Sequence, residues 1–413
     1  VQSGQVINAT AASPGDPSGP ETRRASLLFT AFEPSGDDHA SAVIAELRAR
    51  HPELPMFAWG GPKMAAAGAT VIERTGDDAV MGMPGLAKIR EHQRINERIA
   101  RWLDANKSSD TPVVLHIPVD SPAANTPICK IARARGIRVV HLVAPQIWAW
   151  GRWRISTIRR LTDQLLCVLP FEERFFTRRR VPARFIGHFL FDRPVVPFEL
   201  DARAAKLPAG KPRLAMMPGS RPEELRRHFP IMHEAFGKLR QVYPDLAGVV
   251  ACTSQRVETQ LRDAARDLPG GWPEGLSTVV GDTDAVVRWC DLALVKSGTV
   301  TMQVARQLRP MVIFYQKANP VTAVFMRMIV ATKLFSLPNV IAARRIIPEL
   351  IPYYGNADRL VRAIRAVIDN PAERDRQKRE LGAIIEKFRG RHARVLAANA
   401  IEEFAGISVP PRS

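Results

Sequence analysis

Short apolar runs rich in Val, Ile, Leu and Met recur along the chain, and the stretches between them carry apolar residues at helix spacing. The runs at 26–31, 112–119, 138–143, 164–169 and 184–187 read as strands of a first set. Those at 213–217, 247–253, 276–280, 291–296 and 310–315 read as a second set built to the same plan, with no repeat of the sequence itself. Strands that alternate with helices predict parallel sheets covered by helices. Proline ends regular structure, so the segment Arg193-Pro194-Val195-Val196-Pro197 marks the division between the sets. Beyond Asn356 the pattern is helical, with Leu360, Ile364, Val367 and Ile368 and then Leu381, Ile384, Ile385 and Phe388 in step.

The fold class expected is therefore α/β, with two Rossmann-like doubly wound domains facing across a cleft and a C-terminal helical tail. The expected division is a flexible leader at 1–24, an N-terminal domain at 25–192, a C-terminal domain at 193–356 and helices at 357–413. Ligands in such sheets bind outside the carboxyl ends of the strands.

One helix-like stretch has two readings. Ile89, Gln93, Asn96, Ile99, Trp102 and Leu103 lie along one side, and Lys88, Arg90, Arg94, Arg98 and Arg101 supply charge. Such a helix can lie on an anionic bilayer or pack on its own sheet.

Composition adds limits. A length of 413 residues with 46% hydrophobic and 24% charged residues fits a folded protein of two or three domains. The net charge of +18 calls for an anionic partner. No RRM, KH, zinc-finger or basic-zipper pattern is present, so nucleic acid is set aside in favour of an anionic membrane surface. Cys129, Cys167, Cys252 and Cys290 are far apart within apolar runs and read as buried, reduced thiols. The first residues lack the basic start and apolar core of a signal peptide, and no apolar run approaches the roughly 20 residues that span a bilayer. A cytoplasmic protein touching a membrane without crossing it is expected.

Two strand-to-helix turns carry the candidate chemistry. Ser297-Gly298-Thr299 follows the apolar run 291–296 and opens a helix, where converging N–H groups favour an anion. Gly219-Ser220-Arg221 follows the run 213–217 in the same way and adds a guanidinium suited to phosphate. Together they point to the diphosphate of a nucleotide sugar. Asp282-Thr283-Asp284 could hold a metal against that diphosphate, but a helix N-cap explains it more simply, and no metal or other cofactor is expected.

Read in order, Glu33-Pro34-Ser35-Gly36-Asp37, Gly60-Gly61-Pro62-Lys63-Met64, Val80-Met81-Gly82, Trp148-Ala149-Trp150, Pro170-Phe171-Glu172, Gly187-His188, Pro218-Gly219-Ser220-Arg221, Ser297-Gly298-Thr299, Ser336-Leu337-Pro338-Asn339, Arg344 and Pro348-Glu349-Leu350 resemble the motifs of lipid-A-disaccharide synthases. These are inverting glycosyltransferases of the two-Rossmann GT-B architecture. The resemblance implies a metal-independent reaction joining UDP-2,3-diacylglucosamine to 2,3-diacylglucosamine 1-phosphate, with release of UDP. It also implies a peripheral protein at the cytoplasmic face of the inner membrane, and homodimers are common in the family.

By the same resemblance Asp120 is the candidate base, Glu33 and Asn339 join it in the catalytic group, and Gly219, Ser220, Arg221, Ser297, Gly298, Thr299 and Gln303 hold UDP. Ser35, His188 and Arg344 are further candidates. Each residue also has a plainer reading. Asp120 could cap the next helix, Asn339 could serve a turn, His188 could be structural, and Trp148 could anchor the core.

Several positions depart from the family pattern. Phe32 replaces a glycine, Ala123 and Ala124 interrupt the segment after Asp120, Gln303 replaces a glutamate, and Met83-Pro84-Gly85 lacks an acidic residue. A paralogue using another UDP-sugar or lipid acceptor, and a non-catalytic binding protein, are the alternatives that these departures leave open.

Overall fold

The computed structural model describes residues 25–75, 86–149, 151–193, 195–316 and 333–408, and for 86–89 the backbone alone. The leader at 1–24, the motif at 80–85, Trp150 and Pro194 fall outside the described residues.

The first sheet contains β1 (Ser26–Ala31), β2 (Met56–Gly60), β3 (Thr70–Arg74), β4 (Val113–Val119), β5 (Arg138–Leu142), β6 (Gln164–Cys167) and β7 (Ala183–Phe185), in the order β3-β2-β1-β4-β5-β6-β7. The second contains β8 (Arg213–Met217), β9 (Ala247–Cys252), β10 (Leu276–Val280), β11 (Leu292–Lys296), β12 (Met311–Gln316) and β13 (Glu349–Tyr353), in the order β10-β9-β8-β11-β12-β13. The strand pairings in both sheets are parallel. Every residue of β1 is buried, as a strand covered on both faces requires.

Around the first sheet lie α1 (Pro34–Arg50), α2 (Pro62–Ala66), α3 (Leu86–Asn106), α4 (Pro122–Ala134), α5 (Ile155–Leu161) and α6 (Glu172–Thr177). The second half of the chain adds α7 (Pro197–Ala204), α8 (Pro222–Val242), α9 (Gln255–Arg266), α10 (Thr283–Trp289), α11 (Val300–Arg306), α12 (Leu337–Ala342), α13 (Ala357–Ile368), α14 (Pro371–Glu386) and α15 (Ala393–Ala405).

In each sheet the strand order reverses at one place, between β1 and β4 and between β8 and β11. Loops on either side of such a reversal diverge, and the crevice between them is where doubly wound sheets take ligands.

Three strands were not among those expected. β2 and β3 are short, and β3 alternates exposed and half-buried residues at the sheet edge. β13 contains Pro352, which reads as a breaker but is tolerated on an edge strand that needs no further N–H.

The C-terminal helices do not behave as one unit. α13 packs on α8, whereas α15 packs on α1 and β5 of the first sheet. Glu402 of α15 pairs with Arg50 at 3.0 Å and His51 at 2.9 Å, and the Asp192 carboxylate accepts the N–H groups of Ala393 and Arg394 at 2.7 and 2.8 Å.

The apolar stripe of α3 is spent on the protein: Ile95, Ile99 and Leu103 are buried against Trp59 and Ile128. That favours packing over a membrane role for this helix. All four cysteines are free and buried, and burial pushes the Cys129, Cys252 and Cys290 thiols up to about 12. Among the described residues no helix is long and apolar enough to cross a membrane.

Candidate active site

At the reversal of the first sheet, β4 ends in Asp120 and Ser121, both left-handed at φ 49° and 41°. Two consecutive non-glycine residues in that region are strained, on the order of 1–2 kcal/mol each. A buried network holds the turn. Asn125 of α4 donates its amide to the carbonyls of Val119 at 3.2 Å and Asp120 at 2.8 Å. Its Oδ1 accepts the Thr30 hydroxyl at 2.7 Å, and Thr30 Oγ lies 2.8 Å from His116 Nε2. Because Thr30 donates to Asn125, His116 donates through Nε2, which leaves its buried Nδ1 without a partner. Burial holds His116 neutral, its pKa lowered to about 3.

The strained turn presents the Asp120 carboxylate to the first turn of α1, where the Ser35 hydroxyl hydrogen-bonds to it. Burial raises the Asp120 pKa, against the opposing pull of the Ser121 amide and Ser35. A carboxylate with raised proton affinity beside a ligand crevice is suited to taking a proton. Glu33, at the N-cap position of α1, is half-buried, and Ser35 is exposed.

Neighbouring motifs are wired to this corner. The Asp37 carboxylate accepts the N–H groups of Lys63 at 3.1 Å and Met64 at 3.0 Å, so it caps α2 rather than its own helix. A Cβ at Gly61 would lie 2.4 Å from Asp37 Oδ2, which explains the glycine there. Glu172, wholly buried, accepts Trp148 Nε1 at 2.9 Å and the N–H groups of Val168 and Leu169 at 3.2 and 3.0 Å. Burial pushes its pKa up to about 7, and the Asp120 charge adds to the rise. Trp148 is thus a buried anchor, edge-on to Phe171 at 4.9 Å.

At the reversal of the second sheet the chemistry is ionic. Gly219 has φ 120°, and a Cβ there would lie 2.8 Å from Glu224 Cβ. Glu224 Oε2 accepts the Ser220 N–H at 3.3 Å, while Oε1 takes Lys296 Nζ at 2.7 Å and lies 3.9 Å from Arg221 Nη1. Burial works to raise the Glu224 pKa, but Lys296, the Ser220 amide and Arg221 together hold it below the usual carboxylate value.

Ser297 differs from expectation: its N–H is bonded to the Phe314 carbonyl at 3.0 Å as a continuation of the sheet. The N–H groups at Gly298, Thr299 and Val300 lack intrahelical acceptors by geometry and are the ones suited to an anion.

Four candidates are engaged by protein partners. Asn339 is fully buried; its Oδ1 accepts the N–H groups of Ile346 and Ile347 and its amide donates to the Ile347 carbonyl and Glu349, so no donor remains for a sugar. This corrects its expected contact with substrate. His188 caps the turn Phe189–Phe191 by accepting the Leu190 N–H at 3.1 Å, and burial lowers its pKa to about 3, so it offers no charge to phosphate.

Arg344 pairs with Glu380 of α14 at 2.5 Å. Gln303 donates to Asp284 at 3.1 Å, a bond that a glutamate could not make. Asp284 also takes Arg306 at 3.0 Å, and Asp282 caps α10 through the Ala285 N–H. That accounts for the acidic triplet. Among the described residues no group of three or more His, Cys, Asp or Glu is arranged to hold a metal.

Sequence reasoning passed over Asn125, Glu172, Glu224 and Lys296 as site residues. A lysine closing an otherwise apolar strand and a glutamate at the third position of a helix were the available signals.

A family profile described as lipid-A-disaccharide synthetase matches residues 27–401. The lipid-A-disaccharide synthase of Anaeromyxobacter dehalogenans strain 2CP-1 is 36% identical over 355 residues, covering 85% of this chain and 90% of the relative. That of Myxococcus xanthus is 34% identical over 391 residues, covering 93% and 98%. In fold the chain is similar to the Neisseria meningitidis UDP-GlcNAc 2-epimerase bound to UDP-GlcNAc, with a TM-score of 0.61, 10% identity and coverage of 92% and 100%.

Proposed function

The chain belongs to the lipid-A-disaccharide synthase family, and from that premise we propose how its two reversal points share the work of glycosyl transfer. The enzyme joins UDP-2,3-diacylglucosamine to 2,3-diacylglucosamine 1-phosphate. The acceptor hydroxyl attacks the anomeric carbon, the bond to the β-phosphate oxygen breaks with inversion, and UDP leaves.

Asp120 takes the hydroxyl proton. Its raised proton affinity and its bond to Ser35 support that role, and Glu33, at the N-cap of the same helix, orients the acceptor. Negative charge developing on UDP is met by Arg221, by the amides at Gly298 and Thr299, and by the N-terminal dipoles of α8 and α11. Ser220 and Gly219 let the backbone approach the diphosphate. Gln303, tied to Asp284, has its carbonyl oxygen left for the nucleotide. Asn339 acts at one remove by fixing the segment 336–349.

The carrying observation is that the proton-accepting and anion-holding groups occur separately at the two switch points. Mass spectrometry of the product from purified protein given both acylated sugars tests the reading: a mass equal to their sum less UDP is expected, and unchanged substrates count against it.

We propose that, to reach acylated substrates, the protein works at the cytoplasmic face of the inner membrane. A basic face around α6 supports this. Arg174 and Arg178 are exposed, with no acidic partner among the described residues, and with Phe171, Phe175 and Arg179 they line a hollow of about 350 Å³. Trp153 nearby in sequence to α5 is 66% exposed. Arginine with interfacial tryptophan suits an anionic lipid surface.

A further inference from the structure

We propose that Lys296 is a second cation for the leaving diphosphate, held ready by Glu224, which occupies its charge when no nucleotide is bound. The assignment rests on the donor site described above and adds residues to it.

Strand alternation aims the side chain. Leu292, Leu294 and Lys296 share one face of β11, and the two leucines pack among Leu225 and Phe229 of α8. Lys296 is therefore directed to the α8 side, where Glu224 stands. Its Nζ is 2.7 Å from Glu224 Oε1 and 5.6 Å from the centre of the Tyr315 ring, with the side chain 14% exposed. A lysine at the end of a buried strand is confined by these contacts, so little rotamer freedom is left to lose on binding an anion.

The ammonium also reaches the cradle. A Cβ at Gly298 would lie 3.5 Å from Nζ, so any larger residue would begin to cover the charge from the side where the amides converge.

Glu224 meanwhile gathers Lys296, the Ser220 N–H and Arg221 around one carboxylate. These are the donor types that bind phosphate oxygens. In the free protein the carboxylate serves as an internal anion that keeps two cations from repelling one another and fixes the first cradle to the second. A diphosphate brings more negative charge than this single carboxylate offers, so Lys296 and Arg221 can turn to it while Glu224 keeps Ser220 in place. Glu224 is a positioning residue here, and Lys296 touches the leaving group.

The test is calorimetric binding of UDP and uridine to the full chain. Lys296→Met weakens UDP by about tenfold or more and uridine by less than about twofold, since the lost contact is a charge-assisted one to phosphate. Lys296→Arg restores most of the UDP affinity.

Lys296→Met alone leaves Glu224 buried without its partner and could unfold the site. The double variant Lys296→Met, Glu224→Gln removes the pair together and is expected to lose the preference for UDP over uridine to a similar degree. If the folded variants bind UDP as wild type does, or lose UDP and uridine by the same factor, the role of Lys296 is overturned. A wild-type protein that does not bind UDP overturns the nucleotide-sugar reading itself.

Discussion

The two reversal points use opposite electrostatics. Around β1 and β4 burial works against charge: it raises the pKa of Asp120 and of Glu172 and keeps His116 neutral. Around β8 and β11 the groups are fixed ions, with Glu224 lowered and bonded to Lys296 beside Arg221. A base must be able to take a proton near working pH, which burial arranges by disfavouring its charge. An anion cradle must stay charged throughout, which calls for guanidinium, ammonium and backbone dipoles. The same doubly wound plan underlies both corners, and the side chains at the strand ends make the difference.

The largest expected effect breaks the first region and spares the second. Asp120→Asn lowers turnover by about 10²- to 10⁴-fold, the range for loss of a positioned base, with UDP affinity changed by less than about twofold. Initial rates and calorimetry read the two quantities, and an active variant would remove Asp120 from the base role.

The converse substitution, Arg221→Met, weakens UDP by about tenfold while leaving uridine nearly untouched, as expected for a lost charged hydrogen bond. Equal losses for both ligands would point to a collapsed loop instead.

Gly219→Ala tests whether the second cradle depends on its backbone. The left-handed φ of 120° and the 2.8 Å approach to Glu224 Cβ predict a loss of about 1–3 kcal/mol in stability or a displaced loop. Thermal denaturation with and without UDP distinguishes these, and an unaffected midpoint and affinity would contradict the strain.

pH sharpens the contrast. Glu172 has a folded pKa of about 7 against an ordinary 4.5, so the folded state binds the extra proton and is favoured at low pH. That advantage is lost as pH rises from about 4.5 through about 7, and Glu172→Gln should remove the slope. His116 and His141 run the other way, lowered to about 3 and about 4 from 6.5. Their contribution is present above pH 6.5 and fades as pH falls toward 4. Hydrogen-exchange protection of β4 and β5, the strands that carry them, is therefore expected to fall as pH drops from 6.5 to 4; unchanged protection would refute the assignment.

The smallest effect on chemistry is expected from Arg174→Glu with Arg178→Glu. Sedimentation with anionic vesicles should fall severalfold, with turnover on detergent-dispersed substrates within about twofold of wild type. Retained vesicle binding would move the membrane surface elsewhere.

Much of this was legible along the chain. Apolar runs such as 26–31 and 291–296 are read directly because a strand buried on both faces has almost no polar positions. The turns at Gly219 and Gly298 were legible because glycine before a helix has few other uses. Strands β3 and β13 were not, since edge strands accept polar residues and proline.

Partners far apart in sequence were not legible in the motifs. Asp37 caps α2 across 26 residues of sequence, and Asn339 fastens the segment that leads into β13.

The doubly wound plan, the glycine turns after β8 and β11 and the family could all be read along the chain, because each depends on local pattern and short motifs. Folding alone brings Glu224 to Lys296 across 72 residues, Ser35 to Asp120, and α15 back to the first sheet. Such pairings are set by strand order and by which buried charges and donors require satisfaction, and neither is encoded in nearest-neighbour spacing.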